Sequence, residues 1–263
     1  MGPILNHPSG KRPLADVSKP PNPIFMKALL TLVLAAAAFS APAQSQPLAS
    51  AAPRPAATHA ATADAFTQLL VGVIAEQNDA ATPADVLAVQ AKLERAVAAA
   101  PTAWEPRYYQ ARGFIKLGFG GSTDAQKDQY FDQAQAALDA AKKLKTAPAD
   151  QAELLVLQAY VYQGRIMVSP MTRGPVYTGR VHEALGQAKA LAPDNPRVYL
   201  LLGNDMYFRP AMFGGGADKA RPFFEKAQAL FATFQPATPL SPTWGAGNAT
   251  AVLAKINAPE TTK

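Results

Sequence analysis

Residues 181–204 read Val-His-Glu-Ala-Leu-Gly-Gln-Ala-Lys-Ala-Leu-Ala-Pro-Asp-Asn-Pro-Arg-Val-Tyr-Leu-Leu-Leu-Gly-Asn, and this stretch decides the fold. Val181, Leu185 and Ala188 are spaced four and three apart, so they share one helix face. The small residues let a neighbouring helix approach, and the large one fills the gap. Pro193 follows, where the helix must stop. Outward from here the same spacing recurs. Val89, Leu93 and Ala96 precede Pro101, and Ala134, Leu138 and Ala141 precede Thr146 at the Pro position. Ala220, Phe224 and Ala227 precede Ala232.

A motif repeated in this way resembles the second helix of the tetratricopeptide (TPR) repeat, a unit of about 34 residues made of two antiparallel helices. The first helices agree with it. Pro196 to Asn204 is similar to the TPR signature of an aromatic followed by Leu-Gly, and Ala159 and Ala111 stand where Gly203 stands. Gln158 and Gln110 replace the expected Leu, so these units are degenerate. The resemblance spans about residues 62–235 and implies an all-α fold: an α-solenoid of about four degenerate TPR helix pairs. Residues 236–245 are a Pro-rich stretch, and 246–257 read as a capping helix with Val252, Leu253 and Ile256 on one face. Trp244 is expected to pack on the final repeat, since the end helix of a solenoid needs cover. The Phe-Gly-Gly loop and Pro-x-Trp-Gly ending resemble uncharacterised small secreted bacterial TPR proteins. The Pro-Ala-Met-Phe-Gly-Gly loop is also similar to the periplasmic TPR component of TRAP-type transporters, although those commonly carry a lipid-bearing Cys and this chain has none.

Between the helices of a pair the sequence predicts three lengthened turns, at 118–125, 169–180 and 209–217. They fall at one point of the repeat and would emerge along one edge, often the binding face. The loop-edge candidates are Arg173, Arg180, Arg209 and Phe213. The TPR resemblance also implies a concave groove lined by first helices. Carried onto this chain, its places hold Tyr108, Arg112 and Lys116, then Tyr160 and Gln163, then Arg197, Asn204, Tyr207 and Phe208. Tyr rings and Arg suit a peptide, since rings supply contact area and guanidinium pairs with carboxylate. Asn204 matches part of a carboxylate clamp, but Leu200 stands where that clamp has Lys.

Catalytic chemistry has little to stand on, and the sequence predicts no enzyme, metal site or cofactor. Past residue 43 the histidines are His59 and His182, the latter read as a solvated helix residue. Asp124, Asp128 and Asp132 fall four apart on one helix face and read as solvated. Gly214 to Gly216 precede a helix start, which attracts anions, but a phosphate loop needs Gly-Lys-Ser/Thr after a strand, so a turn is the plainer reading.

The N-terminus sets the compartment. Met26-Lys27 leads into the apolar run Ala28–Phe39, then Ser-Ala-Pro-Ala, with Ala41 and Ala43 at small-x-small positions. This is the layout of a secretory signal peptide, too short to span a bilayer as an anchor. Residues 1–43 are therefore an extension plus signal (core 26–43), residues 44–61 a Pro/Ala linker, and residues 236–263 the stretch, cap and tail. Translation starts at either Met1 or Met26. Removing residues 1–43 leaves 21 basic and 18 acidic side chains with no basic block, too mild a balance for nucleic-acid binding. With no Cys, disulfides and thiolate sites are excluded.

The sequence thus predicts a periplasmic or secreted adaptor that binds a protein or peptide partner in its groove, with no nucleic acid and no membrane span after signal cleavage. The alternative is a periplasmic transport accessory docking a solute-binding protein or a small acidic ligand at the loop edge. Oligomeric state is not specified.

Overall fold

The computed structural model describes residues 56–144 and 146–258, with side chains from residue 64 onward. The predicted signal peptide lies outside the described residues. Within them the chain forms nine α-helices and one 3₁₀ turn, with no strand. In order these are α1 (Ala56–Asp79), α2 (Pro83–Ala99), α3 (Glu105–Gly120), α4 (Asp124–Lys142) and α5 (Pro148–Val168). Then follow α6 (Pro170–Leu191), α7 (Pro196–Phe208), the 3₁₀ turn Ala211–Phe213, α8 (Ala217–Thr233) and α9 (Ala246–Asn257).

Local chemistry sets the boundaries. Thr82 accepts from Asp85 N at 3.2 Å while Asp85 accepts from Thr82 N at 2.8 Å, a reciprocal cap at the start of α2. Asn195 accepts from Arg197 N at 2.9 Å at the start of α7. Such caps stabilise a helix by about 1 kcal/mol each. Pro83, Pro148, Pro170 and Pro196 occupy first helical positions, where a missing N–H does no harm.

Each helix lies against its neighbours in sequence, most extensively in the pairs α3–α4, α5–α6 and α7–α8. Odd-numbered helices also meet: α1 touches α3, α3 touches α5, and α5 touches α7. The twelve motif residues on α2, α4, α6 and α8 are all buried. Ala111, Ala159 and Gly203, their small counterparts on α3, α5 and α7, are buried too.

Glycines deepen this packing. A Cβ on Gly164 of α5 would lie 2.2 Å from the Phe131 ring of α4, and one on Gly118 of α3 would lie 2.6 Å from it. Phe131 therefore occupies a slot that only two hydrogens leave open. Phe224 does the same on Gly203, 2.8 Å from a Cβ there.

Several boundaries differ from the sequence reading. Helix α1 begins at Ala56, inside the stretch read as linker. The 118–125 turn shrinks to residues 121–123, because α3 runs on to Gly120. The 169–180 turn is not a loop: Ser169 is a one-residue break, and the remainder is the start of α6. Pro170 is well placed to open a helix, so the extra residues become helical turns instead of a bulge. Of the three, only 209–216 remains a loop, with the 3₁₀ turn inside it.

Trp244 does more than cover the last pair. It packs beside all three main apolar clusters, which together draw residues from α1 to α9. The capping helix α9 forms where expected, with Leu253 buried and Val252 and Ile256 half-buried against α7 and α8.

Candidate functional site

The residues placed in the groove divide into two sets. Tyr108, Arg112, Tyr160 and Arg197 meet the chain's own segment 234–245. Trp244 stacks on Tyr160, with ring centroids 5.9 Å apart and planes 12° from parallel. Trp244 Nε1 donates to the Tyr108 hydroxyl at 2.8 Å, and that hydroxyl donates to Glu153 Oε2 at 3.2 Å. Glu153 also accepts from Arg197 Nη2 at 2.8 Å and from Asn195 Nδ2 at 2.7 Å. Arg197 reaches the Trp244 carbonyl at 3.3 Å and lies 4.7 Å from the Phe234 ring. Tyr109, one position along, donates to the Leu240 carbonyl at 2.9 Å. Arg112 donates to Gln77 Oε1 at 3.0 Å and lies 5.7 Å from the Trp244 ring.

This relay is almost dry. Arg197 is 1% exposed and Glu153 6%, so their pairing matters more than any surface ion pair would. Burial pushes the Tyr108, Tyr109 and Tyr160 hydroxyls above their ordinary range, which keeps them as donors. Burial lowers the Arg112 guanidinium. Of the remaining groove candidates, Lys116 donates to the Ala80 carbonyl, and Gln163 is buried and donates to the Leu201 carbonyl at 2.7 Å. Tyr207 is half-buried, edge-on to Phe208 and Phe224.

A cleft of about 960 Å³ opens beyond the end of this segment. Tyr160, Gln163 and Met167 of α5 form one wall, with Phe119 of α3 behind. Met171, Pro175 and Thr178 of α6 form a second, and Asn204, Phe208 and the loop residues Arg209 and Phe213 a third. The helical turns at 170–178, expected to be a loop, thus become a side of the cleft. The lining is largely apolar, and its rim is bare: Met171 is 81% exposed, Phe208 67% and Phe213 59%. Apolar side chains clustered and exposed in this way mark a contact surface more often than chance.

The 209–216 loop is held open by its glycines. Gly214 and Gly216 have φ of 78° and 113°, which side-chain-bearing residues rarely adopt. A Cβ on Gly215 would lie 2.1 Å from the Arg209 carbonyl oxygen. These constraints place Phe213 at the cleft mouth.

The loop-edge arginines separate. Arg209 lines the cleft. Arg173 does not: it pairs with both oxygens of Asp128, at 2.6 and 2.7 Å, and Arg165 joins the same carboxylate at 2.7 Å. Arg165 also bonds Asp132. Of the row Asp124–Asp128–Asp132, read as solvated, Asp128 is the anchor that ties α4 to α5 and α6. The exposed Asp132 adds a contact to Arg165, and the exposed Asp124 pairs with Lys127 of its own helix. Arg173 and Arg165 hold the Asp128 carboxyl down at about 2. Arg180 lies over the Tyr177 ring at 5.2 Å.

Sequence reasoning missed one polar group at the cleft. His182 is exposed, as expected of a solvated helix residue, but its Nε2 also lies 2.7 Å from Asp205 Oδ2 and 3.0 Å from Arg209 Nη2. Arg209 also bonds Asp205 directly. Asp205 is buried and lines the cleft beside Arg209. Nothing in the sequence joins His182 to Asp205, because they sit on different helices.

A second depression of about 570 Å³, lined by Leu154, Leu155, Gln187 and Leu191, is shallower and more open. Among the described residues no three His, Cys, Asp or Glu side chains cluster in a way that could hold a metal ion, and no helix is long and apolar enough to cross a membrane.

No family model and no curated protein matches the sequence. Among solved structures the chain is similar to the HusA haemophore from Porphyromonas gingivalis, with a TM-score of 0.63 and 28% identity over 76% of this chain and 94% of that one.

Proposed function

We propose that this chain is an exported binding protein whose cleft carries a large, flat, apolar ligand of the haem or porphyrin class. The observation that carries the reading is the cleft itself. At about 960 Å³ it lies near the top of the range of roughly 300–1,000 Å³ for small-molecule sites. Its lining of Phe119, Tyr160, Met167, Met171, Phe208 and Phe213 suits a flat apolar face. The likeness to a haemophore supports the choice of ligand class. No reaction is part of the proposal; the chain binds and releases.

Two further parts of the reading rest on sequence. The helix pairs are assigned as TPR-like units, supported by burial of all twelve motif residues and by contacts among odd-numbered helices. Export to the periplasm or medium follows from the signal read at 26–43.

The test is a titration of the mature chain with haemin, followed by the Soret band. Saturable binding by the native chain is expected, weakened at least tenfold by Phe208→Glu or Met171→Glu. Both side chains are mostly solvent-exposed, so neither change should disturb folding. A native chain without saturable binding, or two variants that bind as the native chain does, would refute the reading.

A protein partner is the second reading, favoured by Phe213 at the cleft and by the exposed Val176 and Met212, next in sequence to the cleft residues Pro175 and Phe213. If a pulled-down protein is lost in Phe213→Glu while haemin binding persists, this reading stands.

A further inference from the structure

We propose that Arg209 is the group that takes a carboxylate of the ligand, and that His182 makes this possible by holding Asp205 when Arg209 lets go. This deepens the proposed function, resting on the cleft as the binding site, and names the ligand as a carboxylic acid with an apolar body.

Two contacts of His182 conflict. His182 Nε2 is within hydrogen-bonding distance of both Asp205 Oδ2, at 2.7 Å, and Arg209 Nη2, at 3.0 Å. One nitrogen cannot serve both. With its proton it donates to Asp205 and faces Arg209 donor to donor. Without it, it accepts from Arg209 and faces Asp205 acceptor to acceptor. One edge of the triangle is unsatisfied in either form, so the three groups have two arrangements available.

Burial decides what each arrangement costs. The Asp205 side chain is 7% exposed, and stripping it of all partners would strand a desolvated charge. Arg209 can therefore leave Asp205 for a ligand only if another donor stays behind. His182 is placed to be that donor. Asp205 and Arg209 both line the cleft, so the freed guanidinium faces the ligand. With Asp205 held by the imidazole, the guanidinium is left with a charge that a ligand carboxylate completes.

The other charged and titratable groups near His182 are already engaged or lie apart. On its own helix Glu183 accepts from Gln187 and Arg180 lies over Tyr177. On α5 Tyr162 lies against Tyr177, and Arg165 is held by Asp128 and Asp132. From α7 and the residue that caps it, Asp205 and Arg209 bond the imidazole.

The experiment uses the mature chain with protoporphyrin IX and its dimethyl ester, which differ only in their carboxylates, at pH 8, where free carboxylates are ionised. The native chain should bind the diacid roughly fivefold more tightly than the ester, the order expected of one charge pair at a wet surface. Arg209→Gln should erase the preference. Asp205→Asn, which removes the internal competitor, should strengthen diacid binding. His182→Ala, which leaves Asp205 no second donor, should lower the preference, and His182→Gln, whose amide can donate, should retain it.

A native chain that binds both probes alike, or a preference that survives Arg209→Gln, overturns the proposal while leaving the cleft reading intact. So does a preference that is unchanged in His182→Ala. If neither probe binds, the cleft reading fails and this inference falls with it.

Discussion

Replacing Gly164 with alanine sets two opposed effects against each other. In a helix interior, alanine is favoured over glycine by about 0.5–1 kcal/mol, because glycine loses more backbone freedom on folding. At Gly164, however, the added Cβ would lie 2.2 Å from two atoms of the Phe131 ring. Carbon atoms rest about 3.5–4.0 Å apart, so the ring must retreat by more than an ångström. It has no room to do so: a Cβ on Gly118 would crowd the same ring at 2.6 Å, Phe119 stands edge-on to it at 5.5 Å, and Arg165 covers it at 5.8 Å. Overpacking of this kind costs about 1–3 kcal/mol, and a locked site belongs at the upper end. The net expectation is a loss of about 2 kcal/mol. Gly186, within α6, provides the control, since a Cβ there meets nothing within 4 Å. Gly186→Ala should stabilise by about 0.5–1 kcal/mol. Urea unfolding measures both, with the midpoint falling in the first variant and rising in the second at constant slope. If Gly164→Ala raises the midpoint as Gly186→Ala does, Phe131 is not wedged and the packing argument is wrong.

Two further outcomes follow from charge. Glu153→Gln leaves Arg197 buried without its anion and should lower stability by about 3 kcal/mol; a loss below about 1 kcal/mol in urea unfolding would mean that water reaches the relay. Asp128→Asn should alter the acid limb of stability. The folded-state value of Asp128, about 2, lies below the ordinary 3.8, so its contribution is complete above about pH 5 and is lost as pH falls toward 2. Screening at this half-open site reduces the gain to about 1–2 kcal/mol. Thermal melts at pH 6 and pH 2.5 should show the native chain and the Asp128→Asn variant converging at the lower pH; a constant gap would refute the pairing.

What the sequence disclosed, and what it hid, follows from the range of each interaction. The sets on α2, α4, α6 and α8 were legible because their spacing is local: helix period alone puts Val181, Leu185 and Ala188 on one face. The cap at 246–257 was legible for the same reason. The glycine slot was not, because Phe131, Gly118 and Gly164 come from three helices and nothing in a linear pattern joins them. The residues assigned to a groove are polar and aromatic, but Tyr108 and Arg197 meet Trp244 from 136 and 47 positions away. A Pro-rich stretch carries no period from which its resting place could be inferred. Of the site candidates, Arg209 and Phe213 reach the cleft through a loop that three glycines mark plainly, whereas the contacts of the exposed His182 were hidden because its partners lie on and just past α7.

Helix α5 explains how one chain seals a buried ion pair and keeps a cleft. Glu153, Tyr160 and Met167 are seven apart, two helical turns each, so they form one stripe along it. Glu153 is sealed in the relay under segment 234–245. Tyr160 lies against Trp244 and also lines the cleft. Met167 lies wholly on the cleft side, half exposed. The same stripe thus changes from buried ion pair to open apolar wall over four turns. The change happens where Trp244 ends its cover and where α5 continues to Val168, past the point at which a shorter helix would have turned. Ser169 and Pro170 then start α6 at once, converting the extra residues into a second wall. Rigid helices, not loops, therefore build most of the cleft, and a site on such elements is held more firmly than one on mobile segments. Tyr160, wedged between Trp244 and Phe119, fixes the floor. The cleft surface is thus already set by the fold, and Phe208, Arg209 and Phe213 stand at its mouth.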